Sequence, residues 1–209
     1  MKINLIELFE ETADKYPHKI AVIDKDRDIT FCDLRDKAMT LAQKIINGGI
    51  GQNKPVAVFL DKSIESVFAN LGIIYSGNFY MNLDIKTPAE RISNILKLVE
   101  PYYIISTSKQ IKSIAGIIPE SIRVILLDEE DWEEEVDKKA ILGKLSDIID
   151  TDPSCIINTS GSTGTPKGVV LNHKSFFDFI EWALETFKFD DNLVMGSLSP
   201  LVFDIYSFE

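Results

Sequence analysis

The chain has 209 residues, 45% of them hydrophobic, and a net charge of -11 with 33 acidic against 22 basic side chains. That apolar content suits a packed domain rather than a disordered chain, and the acidic balance disfavours nucleic acid as a partner. No apolar run reaches the roughly 18 residues of a membrane span, and the first residues lack the basic-then-apolar layout of a secretory signal. Cys32 and Cys155 match neither a metal spacing nor a disulfide framework. A reduced, cytoplasmic protein without nucleic-acid or membrane partners is the expectation.

The elements follow in order. Leu5, Leu8, Phe9 and Ala13 recur at helical spacing, and Pro17 ends that helix. "KIAVID" reads as a strand, and "DITF" follows a polar turn. A second amphipathic helix is predicted from Phe31 to Ile46, with Gly48-Gly49 as its C-cap. "PVAVFL", Pro55 to Leu60, is a continuous apolar run, the pattern of a strand covered on both faces. Ser63 can cap the next helix, through Phe68 and Leu71 to Tyr75, before Gly77.

The alternation repeats. Pro88 fits the first helical position of "PAERISNILKLVE", and Pro101 stops that helix. "YYIIST" reads as a strand, and "RVILLD" as another after a short helix. The pattern predicts layered α/β architecture with mainly parallel strands. The acidic block Asp128 to Asp137 has consecutive acids rather than ligands converging from separate elements, so it reads as a solvated face or loop. A soft boundary is placed at residues 128–151, where a polar helix and connector precede the last part of the chain.

That part opens on "IINTSGSTGTPKGVVL", Ile156 to Leu171. Two short apolar runs, "SCIIN" and "GVVLN", read as strands, with the ten residues from Thr159 to Gly168 as the loop between them. Glycines there let backbone N–H groups converge, hydroxyls add donors, and Lys167 adds a full positive charge. Such a set suits a polyphosphate. A Walker A loop requires G-x-x-x-x-G-K-[ST]; here Pro166 and Gly168 break it, and the dinucleotide G-x-G-x-x-G is absent. By composition alone, a flexible polar hairpin would serve equally well. The order T-S-G-S-T-G-T-P-K-G is far more specific.

"NTSGSTGTPKGVVLNH" closely resembles the phosphate-binding signature of the adenylate-forming superfamily, which includes acyl-CoA synthetases, luciferases and the adenylation domains of nonribosomal peptide synthetases. "ITFCDLRDKAMTLA" resembles its early "LTY-x-EL" segment. "YSGNFYMNLDIKTPAERISNIL" resembles "AGxAYVPLDPxxPxxRI". "FDIYSFE", Phe203 to Glu209, is similar to the "FDxSxxE" segment of amino-acid adenylation domains. The four matches run in the family's order from residue 29 to 209.

The resemblance implies a fold, the N-terminal part of the large subdomain of these enzymes, with residues 1–209 a partial subdomain. The remainder of that subdomain and a mobile C-terminal subdomain are not matched in this chain. It implies ATP as substrate with Mg²⁺ on its phosphates and no metal-ligating protein cluster. An aminoacyl-AMP would form with release of pyrophosphate, and the acyl group would pass to the phosphopantetheine arm of a carrier protein. Thr159, Ser160, Gly161, Ser162, Thr163 and Gly164 would hold the β- and γ-phosphates, and Lys167 would steer the leaving pyrophosphate. Asp204 would anchor the substrate amino group, Phe203 would gate the site, and Ile205 and Phe208 would wall the side-chain pocket. Asp204 would alternatively only cap a helix, which fits an acyl-CoA or aryl-acid ligase of the same superfamily. A non-catalytic binding module is the third alternative. Asn158 stands where the family often has an aromatic, and Tyr206 where it has serine; no substrate side chain follows. His173 and His18 are expected at a helix start or on the surface rather than as catalytic bases.

Overall fold

The computed structural model describes residues 3–130, 132, 135–160 and 166–207, with Ser160, Pro166 and Ser207 described by their backbone alone. Gly161, Ser162, Thr163, Gly164 and Phe208, all expected in the site, lie outside these residues.

The chain opens with α1, Leu5–Lys15, capped by Asn4, whose side chain accepts the N–H of Glu7. An antiparallel hairpin of β1, Ile20–Asp24, and β2, Arg27–Thr30, follows. The helix α2, Phe31–Asn47, ends at Gly48 with Gly49 in the left-handed region, as the glycine pair predicts. Next come β3, Pro55–Val58, and α3, Ile64–Tyr75, where Ser63 and Ser66 form a reciprocal capping box. Sequence reading passes over the strand β4, Phe79–Asn82. Pro88 proves to be the N-cap of α4, Ala89–Val99, one position earlier than expected; its extended backbone (φ -54°, ψ 140°) sets the entry angle without a side-chain cap. Glu100 in the left-handed conformation, before Pro101, ends that helix.

The strand β5, Tyr103–Ser106, leads through a short α5, Ser108–Ile111, to β6, Arg123–Leu126. After it come α6, Lys138–Leu145, then β7, Pro153–Ser160, β8, Pro166–Asn172, and α7, His173–Phe187.

Among the described residues the main sheet has six strands in the order β6-β5-β3-β4-β7-β8. All neighbouring pairs are parallel except β7–β8, which is an antiparallel hairpin. The expectation of an α/β sheet with mainly parallel strands therefore holds. The middle of β3 carries Val56, Ala57 and Val58, each fully buried, so the reading of a doubly covered strand also holds. Helices α1, α2, α3 and α6 pack on one face through residues such as Leu41, Ile73 and Ile141. On the other face α4 packs Ile92, Ile95 and Leu96 against Ala57, Met81 and Ile104.

Two polar networks tie the first layer. Arg35 donates to Asp14 at 2.6 Å and Glu10 at 3.4 Å, while the Tyr75 hydroxyl donates to Glu10, joining α1, α2 and α3. Arg27 pairs with Glu65 at 2.7 Å and Asp24 at 2.9 Å, fastening the small hairpin to the start of α3. The guanidinium holds the Glu65 carboxyl down to about 2, against the desolvation that opposes it. The acidic block is a loop in its described part. Trp132 anchors it, donating from Nε1 to the Leu127 carbonyl at 3.1 Å and packing edge-on against Phe68 at 5.3 Å. No described helix is long and apolar enough to cross a membrane.

Candidate active site

The connections leaving β3 and β4 diverge. The helix after β3 covers one face of the sheet and the helix after β4 covers the other. Neighbouring strands whose crossovers part in this way leave a crevice outside their carboxyl ends, the general location of ligand sites in open α/β sheets. On the β4 side an open cavity of about 810 Å³ lies between the end of β4, α4 and the β7–β8 hairpin, within the size range of small-molecule sites. The end of β4 and the loop after it supply Asn82, Asp84 and Lys86, and α4 supplies Arg91. The hairpin contributes Ile157, Asn158 and Thr159 from β7 with Val169 and Leu171 from β8. Val202, Phe203 and Asp204 close the remaining side.

The hairpin is longer than its composition suggests. Strand pairing continues through Thr159↔Lys167 to Ser160↔Pro166, so four of the ten residues expected as loop, Thr159, Ser160, Lys167 and Gly168, belong to paired strands. Thr159 and Ser160 at the end of β7 and Lys167 and Gly168 near the start of β8 read as loop, yet their backbones complete the ladder. Lys167 therefore stands on a strand, exposed, directly across from Thr159, whose Oγ1 donates to the Lys167 carbonyl at 3.4 Å. Gly168 faces Ile156: a Cβ there would come within 3.0 Å of its Cγ2, so the glycine permits close approach between the strands.

The expected residues are partly brought together. Thr159, Phe203 and Asp204 line one cavity. Lys167 flanks it through its pairing with Thr159. Ile205 does not line it; the side chain is half exposed. A 3-10 turn, Asp204–Ser207, does begin at Asp204, whose Oδ1 accepts the N–H of Ile205 at 2.8 Å.

Two asparagines carry information that the motif reading did not use. Asn82 is buried and donates from Nδ2 to the Leu201 carbonyl at 3.3 Å, which leaves its buried Oδ1 without a partner. Both amide atoms of Asn158 are buried and unpartnered. Orphaned buried amides are uncommon and call for an explanation in terms of a bound group or water. Asn82 was legible only as a mismatch, because "MNLDI" carries asparagine where the quoted family pattern "VPLDP" has its first proline.

Neither other candidate group is reactive. Burial pushes the Cys155 thiol up to about 12, so it stays protonated. Burial pushes His173 down to about 4, only partly offset by Asp152, and its Nδ1 accepts the Leu5 N–H at 3.3 Å. His173 is the first residue of α7, as expected of a helix-start residue, and His18 is exposed.

The parallel sheet, the crevice at its switch point and the hydroxyl-rich hairpin beside a lysine define an α/β protein of nucleotide-binding type. The AMP-binding enzyme family matches residues 9–208, and the chain belongs to that family, the adenylate-forming superfamily. It is 30% identical over 198 residues to tyrocidine synthase 1 of Brevibacillus parabrevis, covering 95% of this chain and 18% of that protein. Among solved structures it is similar to the nonribosomal peptide synthetase FmoA3 in a form bound to alpha-methyl-L-serine-AMP. That likeness has a TM-score of 0.85 and 22% identity, covering 99% of this chain and 22% of the other. A fatty acyl-adenylate ligase from L. pneumophila, in complex with acyl adenylate and pyrophosphate, gives a TM-score of 0.80 at 20% identity, covering 97% of this chain and 36% of that one. The chain thus spans a minor part of each of these relatives.

The donor set fits the phosphates of a nucleotide: a threonine hydroxyl and a lysine face each other across the neck of the hairpin, beside a cavity large enough for an organic substrate. Among the described residues no cluster of three potential metal-ligating side chains occurs.

Proposed function

We propose that residues 1–209 form the first part of the N-terminal subdomain of an adenylation domain that activates an amino acid with ATP. The observation that carries this reading is the convergence of Thr159, Phe203 and Asp204 on one cavity beside the carboxyl end of β4. One carboxylate oxygen of the substrate attacks the α-phosphorus, the bond from that phosphorus to the bridging oxygen breaks, and pyrophosphate leaves. The protein supplies no nucleophile, so its task is to position the reactants and neutralise charge. Thr159 and Ser160, with Gly161, Ser162, Thr163 and Gly164 after them, hold the β- and γ-phosphates, and Lys167 meets the charge that builds on pyrophosphate. Mg²⁺, when bound, screens the phosphates.

Asp204 pairs with the substrate ammonium. A fatty acid would leave that carboxylate desolvated and unpaired, which disfavours it. Phe203 gates the site, and Phe208 extends the apolar wall. The aminoacyl group then passes to the thiol of a phosphopantetheine arm on a carrier protein. ATP and two free cysteines suit the reducing cytoplasm.

Amino-acid-dependent ATP–pyrophosphate exchange by the full-length protein tests the reading. Asp204→Ala should abolish exchange while leaving ATP binding intact; unaffected exchange would refute the amino-group role. Lys167→Ala should cut exchange by about a hundredfold or more.

A second reading has one observation in its favour. Asp204 already accepts the N–H of Ile205, the bond of a residue that merely starts a turn. On that reading the enzyme is an acyl-CoA or aryl-acid ligase, and exchange responds to a carboxylic acid lacking an amino group.

A further inference from the structure

The segment carrying Phe203 and Asp204 crosses the crevice between β3 and β4, and one side chain from each strand end holds it. Lys62 lies between the end of β3 and the N-cap of α3. Its Nζ donates to the Ser199 carbonyl at 2.8 Å and sits 5.6 Å from the centroid of the Tyr206 ring. Asn82, the last residue of β4, donates from Nδ2 to the Leu201 carbonyl at 3.3 Å. Leu201 itself is buried, whereas Phe203 and Asp204 are exposed. The segment is therefore fastened at 199 and 201 on one side of this pair and at 206 on the other.

Two of the partners depart from the family pattern quoted above. Asn82 stands where that pattern has proline, and Tyr206 where it has serine. Proline has no donor for the Leu201 carbonyl, and serine offers no ring face to an ammonium. Both departures thus serve the same segment, and the invariant part of the clamp, a bond to a main-chain carbonyl, does not depend on which side chains the segment carries. Without these tethers the segment would be an irregular stretch with large exposed apolar groups, and ordering it would have to be met from substrate binding.

We propose that Lys62 and Asn82 are positioning residues that fix Phe203 and Asp204 over the cavity, with Tyr206 as the docking surface for Lys62. The clamp itself is a property of the chain; its effect on substrate rests on the amino-acid reading given above.

Two measurements on the full-length protein test it. In amide hydrogen exchange, Lys62→Met should make residues 199–207 exchange about tenfold faster while β3, β4 and β5 keep their protection. Lys62→Arg, which keeps a cation and donors, should restore protection. Unchanged exchange at 199–207, or faster exchange spread over the whole sheet, would overturn the clamp. In ATP–pyrophosphate exchange, Lys62→Met should raise KM for the amino acid about tenfold and leave KM for ATP within about twofold, as expected of a misplaced anchor. Equal rises in both would overturn the positioning role. In a Tyr206→Ser background Lys62→Met should add less, because the two groups share one interaction; full additivity would remove Tyr206 from the clamp. A wild-type protein with no exchange for any amino acid would overturn the function reading alone, and the hydrogen-exchange result would still decide the clamp.

Discussion

The imidazole of His173 accepts the backbone N–H of Leu5 at 3.3 Å, joining the first turn of α7 to the first turn of α1 across 168 residues of sequence. An N–H in the first turn of a helix has no intrahelical partner, so the ring supplies a cap from another element. Only neutral imidazole can accept at Nδ1. Burial disfavours the charged ring and lowers its pKa from 6.5 to about 4. The unfolded chain therefore takes up a proton before the folded chain does. The stabilisation is complete above pH 6.5, falls as pH drops from there, and is lost once pH passes through about 4. Its ceiling is about 3 kcal/mol. Chemical denaturation of wild type and His173→Gln across pH 7.5 to about 4 checks this. The wild-type advantage should shrink through that window, and a constant difference would refute the linkage.

A second consequence follows from how closely α2 and α3 approach. A Cβ at Gly72 would lie 2.8 Å from the Ala38 carbonyl oxygen and 3.1 Å from two carbons of Leu41. The nearest atom is main chain in a helix that cannot yield locally, so the added methyl must push the helices apart. Alanine's better helix propensity, about 1 kcal/mol, works the other way. Overpacking in a dense core costs about 1–3 kcal/mol, so Gly72→Ala should be destabilising overall. A fall of several degrees in Tm is the expected result, and a rise would show that the helices separate freely.

These two cases show what periodicity can and cannot carry. The helices α1, α2 and α3 were legible because apolar spacing and caps such as Ser63 act locally, within a few residues of sequence. By contrast, β4 was missed because its four residues end in Asn82 and follow Asn78, so no alternation marks it; its burial comes from β3 and β7 on either side. The hairpin was shortened in the reading because Thr159 and Ser160 are poor evidence for a strand until a partner strand is present. Around the cavity, Thr159, Phe203 and Asp204 are residues that the motifs single out and that the structure brings to one lining. Ile205, in the 3-10 turn that follows, is half exposed and does not line the cavity. Lys62 lies in none of the quoted motifs, and Asn82 stands in one only as a departure from it. Their roles arise from the strand order, which sequence spacing does not encode.

The Tyr75–Glu10 contact makes a third prediction. Tyr75 is fully buried at the end of α3, and its hydroxyl donates to a Glu10 carboxylate that also faces Arg35 at 3.4 Å. Burial raises the phenol pKa above its usual value, with Glu10 adding to the effect, so the hydroxyl remains a donor throughout the neutral range. Tyr75→Phe keeps the ring packed against Phe9 but leaves a partly buried carboxylate short of one donor. The cost should be about 1–3 kcal/mol by equilibrium unfolding. Glu10→Gln combined with Tyr75→Phe should recover part of it, because the residual carboxylate charge is gone. No recovery would mean that Arg35 alone satisfies Glu10.

Asn158 supplies the last prediction, since one substitution there separates stability from ligand binding. Its amide nitrogen and oxygen are both buried without partners, on the strand β7. Each orphaned polar group costs about 1–3 kcal/mol in the ligand-free chain. Asn158→Leu, of similar size and without polar atoms, should therefore raise the stability of the free protein by about 1 kcal/mol or more. If the amide pairs with a bound group, the same change must weaken that group. The ATP-induced rise in Tm should then be smaller in the variant than in wild type. A stabilised variant with an undiminished ATP response would make Asn158 a purely structural defect. A destabilised variant would mean that the side chain has polar partners in solution, such as a bridging water, that account for both amide atoms.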